Sequence, residues 1–209
     1  MFPDFSYAKL FLELRAHLLR RSPSGTAEVT KEIKTYFRER FSASYTVLCS
    51  DDLSKEYLVD VAVSSFDPRS IIKQRTLQIV PSTVSVLLAV ESELGGEGAS
   101  SAYGVMKNVA ADYLKLLVTR CERRAMVFTS LPYAGERDHV FRRVQILREL
   151  YQRTPGLKSG ALLVHLDGSQ PVSSQVRAKV DPDSIRGFEI SDDGSHVVEL
   201  PFKFREIAI

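Results

Sequence analysis

The chain has 209 residues, of which 44% are hydrophobic and 26% charged, and its formal net charge is only +2. That is enough apolar material for one domain with a real core, and the near-neutral balance excludes a protein whose whole surface is a polyanion trap. No apolar run reaches the length of a membrane span. The two cysteines, Cys49 and Cys121, lie far apart without metal-type partners, which points to reduced thiols and a cytoplasmic setting.

Met1 to Arg21 mixes apolar residues with charges, as an amphipathic helix does and a signal peptide does not. Leu10, Leu14, Leu18 and Leu19 fall at helical spacing, with Phe11 beside them. Ser22-Pro23-Ser24-Gly25 breaks the run. A second helix is expected from about Thr26 to Phe41, with Val29, Ile33, Tyr36 and Phe37 as its apolar face.

The period then changes to two. Tyr45 to Cys49 predicts a short strand, and Asp51-Asp52 a turn. Tyr57 to Val63 alternates, with Val59, Val61 and Val63 on one face and Leu58, Asp60 and Ala62 on the other. Asp67 to Thr83 reads as a loop carrying a short strand at Thr76 to Val80. Val84 to Glu93 is the clearest strand, apolar enough to be buried on both faces.

Gly95, Gly96 and Gly98 form a connection to a helix over Ala102 to Arg120. A strand is expected at Ala125 to Ser130, a helix at Gly135 to Gln152, and a buried strand at Ala161 to Leu166. Gly187 to Ile190 and His196 to Leu200 flank Asp192-Asp193-Gly194, a hairpin signal. A meander followed by β-α-β crossovers predicts an α/β fold, a mixed central sheet flanked by helices with a C-terminal β-hairpin. One domain is expected: N-terminal helices at about 1–42, a core at about 43–166 and an extension with the hairpin at about 167–209.

The chemistry concentrates in three carboxylates. Glu91 and Glu93 sit two apart at the end of a buried strand, so both project from one face, roughly 6.5–7 Å apart along the backbone. Asp60 interrupts the apolar alternation of the neighbouring strand. Converging carboxylates repel one another, and a divalent cation resolves that repulsion. Such a cation can activate water and stabilise charge on a phosphodiester.

The pattern resembles the PD-(D/E)xK nuclease superfamily, with its restriction-endonuclease-like fold. That core runs helix, three-stranded meander, helix, strand, with an acidic residue on the second meander strand and the (D/E)xK motif on the third. Val59-Asp60 is similar to the first element and Glu91-Ser92-Glu93 to the second. Asp112-Tyr113-Leu114-Lys115-Leu116 resembles the acidic-aromatic-x-Lys-Leu stretch of members with Glu-x-Glu motifs. The match covers residues 26 to 166. Val59 stands where the family name has proline, and Glu93 where it has lysine.

The resemblance implies a metal-dependent endonuclease acting on nucleic acid, DNA before RNA, with Mg²⁺ as cofactor and Mn²⁺ as a substitute. Asp60 and Glu91 would ligate the metal together with the Ser92 carbonyl. Glu93 would hold or deprotonate the attacking water, or bind a second metal. Lys115 would point back at the site, against a plain Asp112–Lys115 pair on a solvated face. Lys107, and a helix glutamate at Glu28 or Glu32, are further candidates. Cleavage of both strands would call for a homodimer.

The alternative within the same fold is a non-catalytic binding module. A nucleotide-cofactor enzyme using the glycine loop is a third reading, opposed by the missing third glycine and the nearby glutamates. The arginines 137, 142, 143, 148 and 153, and those at 120, 123 and 124, read mostly as solvated surface. His165 reads as a satisfied core residue, and His17, His139 and His196 share no ligand spacing with it.

Overall fold

The computed structural model describes residues 5–52, 58–80, 83–95, 100–169, 177–180 and 183–201. Four helices enclose a mixed sheet. Helix α1 (Tyr7–Arg21) and helix α2 (Thr26–Phe41) precede β1 (Thr46–Cys49), β2 (Val61–Ser64) and β3 (Val86–Glu93). Then come α3 (Ala102–Val118), β4 (Arg123–Ser130), α4 (His139–Arg153) and β5 (Ala161–Ser169). Three strands end the described chain: β6 (Arg177–Lys179), β7 (Ile185–Ile190) and β8 (Val197–Leu200).

The main path of the sheet is β1-β2-β3-β4-β5-β7-β8, with β6 paired to β5. β1, β2 and β3 form an antiparallel meander. β3, β4 and β5 are parallel, and α3 and α4 supply the two crossovers such strands need. The expected order of helix, meander, helix and strand is therefore present as α2-β1-β2-β3-α3-β4. The predicted hairpin is present too, with Ile190 opposite Val197.

Side-chain alternation divides the core into two layers. Leu88 and Val90 of β3 pack with Phe11, Leu14, Ile33 and Phe37 under α1 and α2. Ala89 packs with Met126, Phe128, Val105 and Tyr113 under α3 and α4. Each large side chain so buried contributes about 1.5–3 kcal/mol of transfer free energy. The N-terminal helix thus covers the sheet. Its Phe11 ring lies where a Cβ at Gly187 would stand, only 2.6 Å from that position, so β7 needs a glycine there.

Helix boundaries follow their caps. Ser101 Oγ accepts from the Gly104 amide at the start of α3. α4 begins at His139 rather than at Gly135, because Asp138 accepts from the Phe141 amide. The residues before it make a turn, with the Glu136 amide donating to the Tyr133 carbonyl.

Two strand expectations need correction. Asp60 is not within a strand: residues 58–60 bend, and β2 starts at Val61. Val59 consequently packs in the α3 layer with Ala62, while Val61 and Val63 face α1 and α2. Tyr57 lies outside the described residues. The predicted strand at Thr76 to Val80 is reduced to a single bridge, Ile72 with Ile79. β6 was not foreseen. β5 continues past Leu166 to Ser169, where it pairs with β6.

Candidate functional site

The C-terminal ends of β3, β4 and β5 lie along one edge of the sheet, as do the end of β1 and the start of β2. In open α/β sheets this edge is where ligands bind. Asp60, Glu91, Ser92 and Glu93 all fall there.

Asp60 is held by three elements. Its Oδ2 accepts from the Ser92 amide at 2.9 Å and from Ser92 Oγ at 2.7 Å. Its Oδ1 accepts from Ser50 Oγ at 3.0 Å. Lys34 Nζ stands 3.8 Å from the same Oδ1 and donates to Ser50 Oγ at 2.8 Å. The Ser50 amide donates to the Asp60 carbonyl, extending the β1–β2 pairing beyond its last strand residues.

Glu91 points to the α3 side and is only 4% exposed. Burial, and next the nearby Asp60 carboxylate, push its pKa up to about 8. Lys115 Nζ opposes this from 3.9 Å. The same ammonium lies 2.6 Å from Asp112 Oδ1, so it reaches both carboxylates. The Asp112 hydrogen bond, working against desolvation, raises the lysine's pKa. Glu93 follows two residues on along β3. It accepts from the Gly95 amide at 3.1 Å, and burial followed by the Asp112 carboxylate raises its pKa.

Asp60 and Asp112 each act on both glutamates, so the three predicted acids form one electrostatically linked group with Asp112. Among the described residues no three His, Cys, Asp or Glu side chains are grouped closely enough to hold a metal ion. A Mg²⁺ ion asks for less than such a cage, because it keeps several waters and uses one or two carboxylates. The upward shift of Glu91 marks an acid whose negative charge lacks sufficient compensation.

Other candidates go elsewhere. Glu28 turns to its own helix start and accepts from Ser24. Glu32 pairs with the buried His17, Oε2 to Nε2 at 2.9 Å. Lys107 is exposed on α3. Gly96 and Gly98 of the glycine loop lie outside the described residues.

The residue the sequence reading missed is Lys34, whose side chain comes from α2 and is nearly buried. Its only signal is position: it borders the stripe of Ile33 and Phe37, where an ordinary surface lysine is equally at home.

Further along the edge, Ser130 Oγ lies 2.9 Å from His165 Nε2, and His165 Nδ1 lies 3.8 Å from Asp167 Oδ1. The order imitates a serine hydrolase triad. Ser130 and His165 are fully enclosed, however, so no substrate carbonyl reaches the hydroxyl. Burial lowers the His165 pKa to about 3, which keeps the ring neutral. The ring of His139 stands 6.0 Å from it, centroid to centroid. His165 is thus only half satisfied, since its Nδ1 has no hydrogen-bond partner.

Of the arginines, Arg120, Arg137, Arg142 and Arg153 are exposed, whereas Arg124, Arg143 and Arg148 are built into the fold. Arg143 is buried and clamps Glu136 and the Leu131 carbonyl. Arg148 donates to the Gly194 carbonyl, and Arg124 to Ser159 and the Gly160 carbonyl. Among the described residues, no helix is long and apolar enough to cross a membrane. No family model, curated protein or solved structure matches the chain.

Proposed function

We propose that this protein is a metal-dependent nuclease of the PD-(D/E)xK type that hydrolyses phosphodiester bonds in DNA. The observation that carries this reading is the Asp60–Glu91 pair. Two carboxylates from separate elements meet at the ligand-binding edge of the sheet, with Lys34 approaching from α2 and Lys115 from α3. The element order around them supports it.

Asp60 and Glu91 would hold Mg²⁺, or Mn²⁺ in its place, with the Ser92 carbonyl as a further ligand. When bound, that cation supplies Lewis-acid activation of water and neutralises charge on the phosphate. Ser92 and Ser50 orient Asp60 from both its oxygens. Lys115 sets a positive charge beside Glu91 and is placed to meet a phosphate oxygen. Glu93, whose pKa is raised first by burial, would hold or deprotonate the attacking water.

The test is cleavage of plasmid and single-stranded DNA in Mg²⁺ or Mn²⁺, comparing the native chain with Glu91→Ala. Loss of cleavage in the variant is expected, and equal cleavage by both would sink the assignment. One observation favours the second reading, a non-catalytic binding module of the same fold. Glu93 occupies the lysine position of the motif, and its carboxylate accepts from the Gly95 amide. Calorimetry separates the two: the module predicts no Mg²⁺ or Mn²⁺ binding that depends on Asp60 and Glu91.

A further inference from the structure

At the end of the sheet opposite the carboxylates, the chain between β2 and β3 leaves the body as an arm. Its root is fastened by Ser65, whose amide donates to the Ser85 carbonyl and whose Oγ accepts from the Ser85 amide. Beyond it the Val80 amide donates to the Ile71 carbonyl and the Lys73 amide to the Gln78 carbonyl. Leu77 turns the tip with a φ of 53°.

Residues 72–80 are all exposed. Ile72, Leu77, Ile79 and Val80 are each at least half exposed, which is an unusual concentration of apolar surface on so short a hairpin. An isolated two-stranded ribbon is marginal in water, so this one gains from a partner. Between Asp67 and Glu91 the sequence holds Arg69, Lys73 and Arg75 and no acidic residue. Arg69 is occupied by Asp67. Lys73 and Arg75 are left facing solvent.

We infer that this arm is a grip on duplex DNA, with Lys73 and Arg75 against phosphates and Ile72, Leu77 and Ile79 pressed into a groove. The inference rests on the nuclease reading for its choice of partner. A two-stranded ribbon fits the major groove, and apolar side chains serve as wedges or methyl contacts. The amide of Gln74, two residues from Ile72, can bond base edges, a use that a lipid interior does not offer. A second copy of the arm is disfavoured, because two acid-free basic ribbons repel each other.

The test is fluorescence anisotropy of a labelled DNA duplex of about 25 base pairs, titrated with the full chain in EDTA over a range of salt. The native chain is compared with the double variant Lys73→Glu/Arg75→Glu and with the milder Lys73→Gln/Arg75→Gln. The charge reversal should weaken binding roughly 10- to 100-fold at about 0.1 M salt and lower the slope of log K against log salt by about 2. Melting temperatures should not move, since these side chains bury nothing. Equal affinity and slope in native and variant chains overturn the proposal, as does a native chain that binds phosphatidylserine vesicles but not duplex. The nuclease reading fails separately, through Glu91→Ala in the cleavage assay, because duplex binding is measured here without metal.

Discussion

Asp60 and Ser92 are joined through a single carboxylate oxygen, which accepts both the backbone amide and the hydroxyl of the serine. The bond to the amide replaces a strand pairing that the bend at residues 58–60 gives up. The hydroxyl bond is the removable one. Ser92→Ala should cost about 1 kcal/mol of stability, the worth of an ordinary hydrogen bond. It should also weaken Mg²⁺ binding severalfold by loosening Asp60. Thermal unfolding and calorimetry on the same variant check both outcomes.

Glu91 predicts a conflict between site and stability. Its folded pKa, about 8, lies above the unfolded value near 4.5. Between those two values the folded state holds a proton that the unfolded state has released, so stability falls as pH rises through the window. In metal-free buffer at pH 8, Glu91→Gln should therefore be more stable than the native chain, by on the order of 2 kcal/mol. Mg²⁺ should reverse the ranking by stabilising only the native chain. Urea unfolding with and without Mg²⁺ decides it, and a variant whose advantage over the native chain is no larger at pH 8 than at pH 4.5 contradicts the argument.

The two lysines flanking the acids should differ in weight. Lys34 is nearly buried against Ser50, whereas the Lys115 side chain is 43% exposed. Lys34→Met leaves Ser50 Oγ short of a donor and Asp60 short of a cation, and should destabilise by roughly 1–3 kcal/mol. Lys115→Met should cost less than about 1 kcal/mol, in keeping with an exposed ion pair. Chemical denaturation of both variants measures the contrast.

His165 sets an acid limit. Its folded pKa is depressed to about 3 from the ordinary 6.5. As pH falls below the ordinary value, the unfolded chain takes up a proton that the buried ring refuses, and stability declines until pH reaches about 3. Between pH 7.5 and 4.5 this amounts to about 3 kcal/mol. His165→Gln should flatten that part of the stability profile, and an unchanged slope would show that another group carries it.

Much of this fold was legible because it is written in period. The continuous apolar run of β3, the leucine spacing of α1 and the Asp192-Asp193-Gly194 hairpin carry strong local signals. What escaped depends on tertiary partners. Asp60 read as a strand residue because its neighbours alternate, yet its side-chain bonds to Ser92 and Ser50 favour a bend that reverses Val59. Lys34 was hidden because burial of a helix lysine is decided by the chain end packed above it, here Ser50. Glu91 and Glu93 share a strand face as their spacing demands. That face then meets two different carboxylates, Asp60 and Asp112, and spacing along one strand is silent about partners on a helix.

The Phe11–Gly187 contact has a consequence for the order in which the chain assembles. Tyr7, on the same helix, bonds the Ser159 and Gly160 carbonyls and accepts from the Arg124 amide. Helix α1 is thus seated by strands that are synthesised much later. Until β5 and β7 are in place, its leucines and Phe11 have no sheet to cover, so synthesis passes through a stage with an apolar helix exposed. Loss of the β7–β8 hairpin would leave α1, far from it in sequence, as the aggregating part.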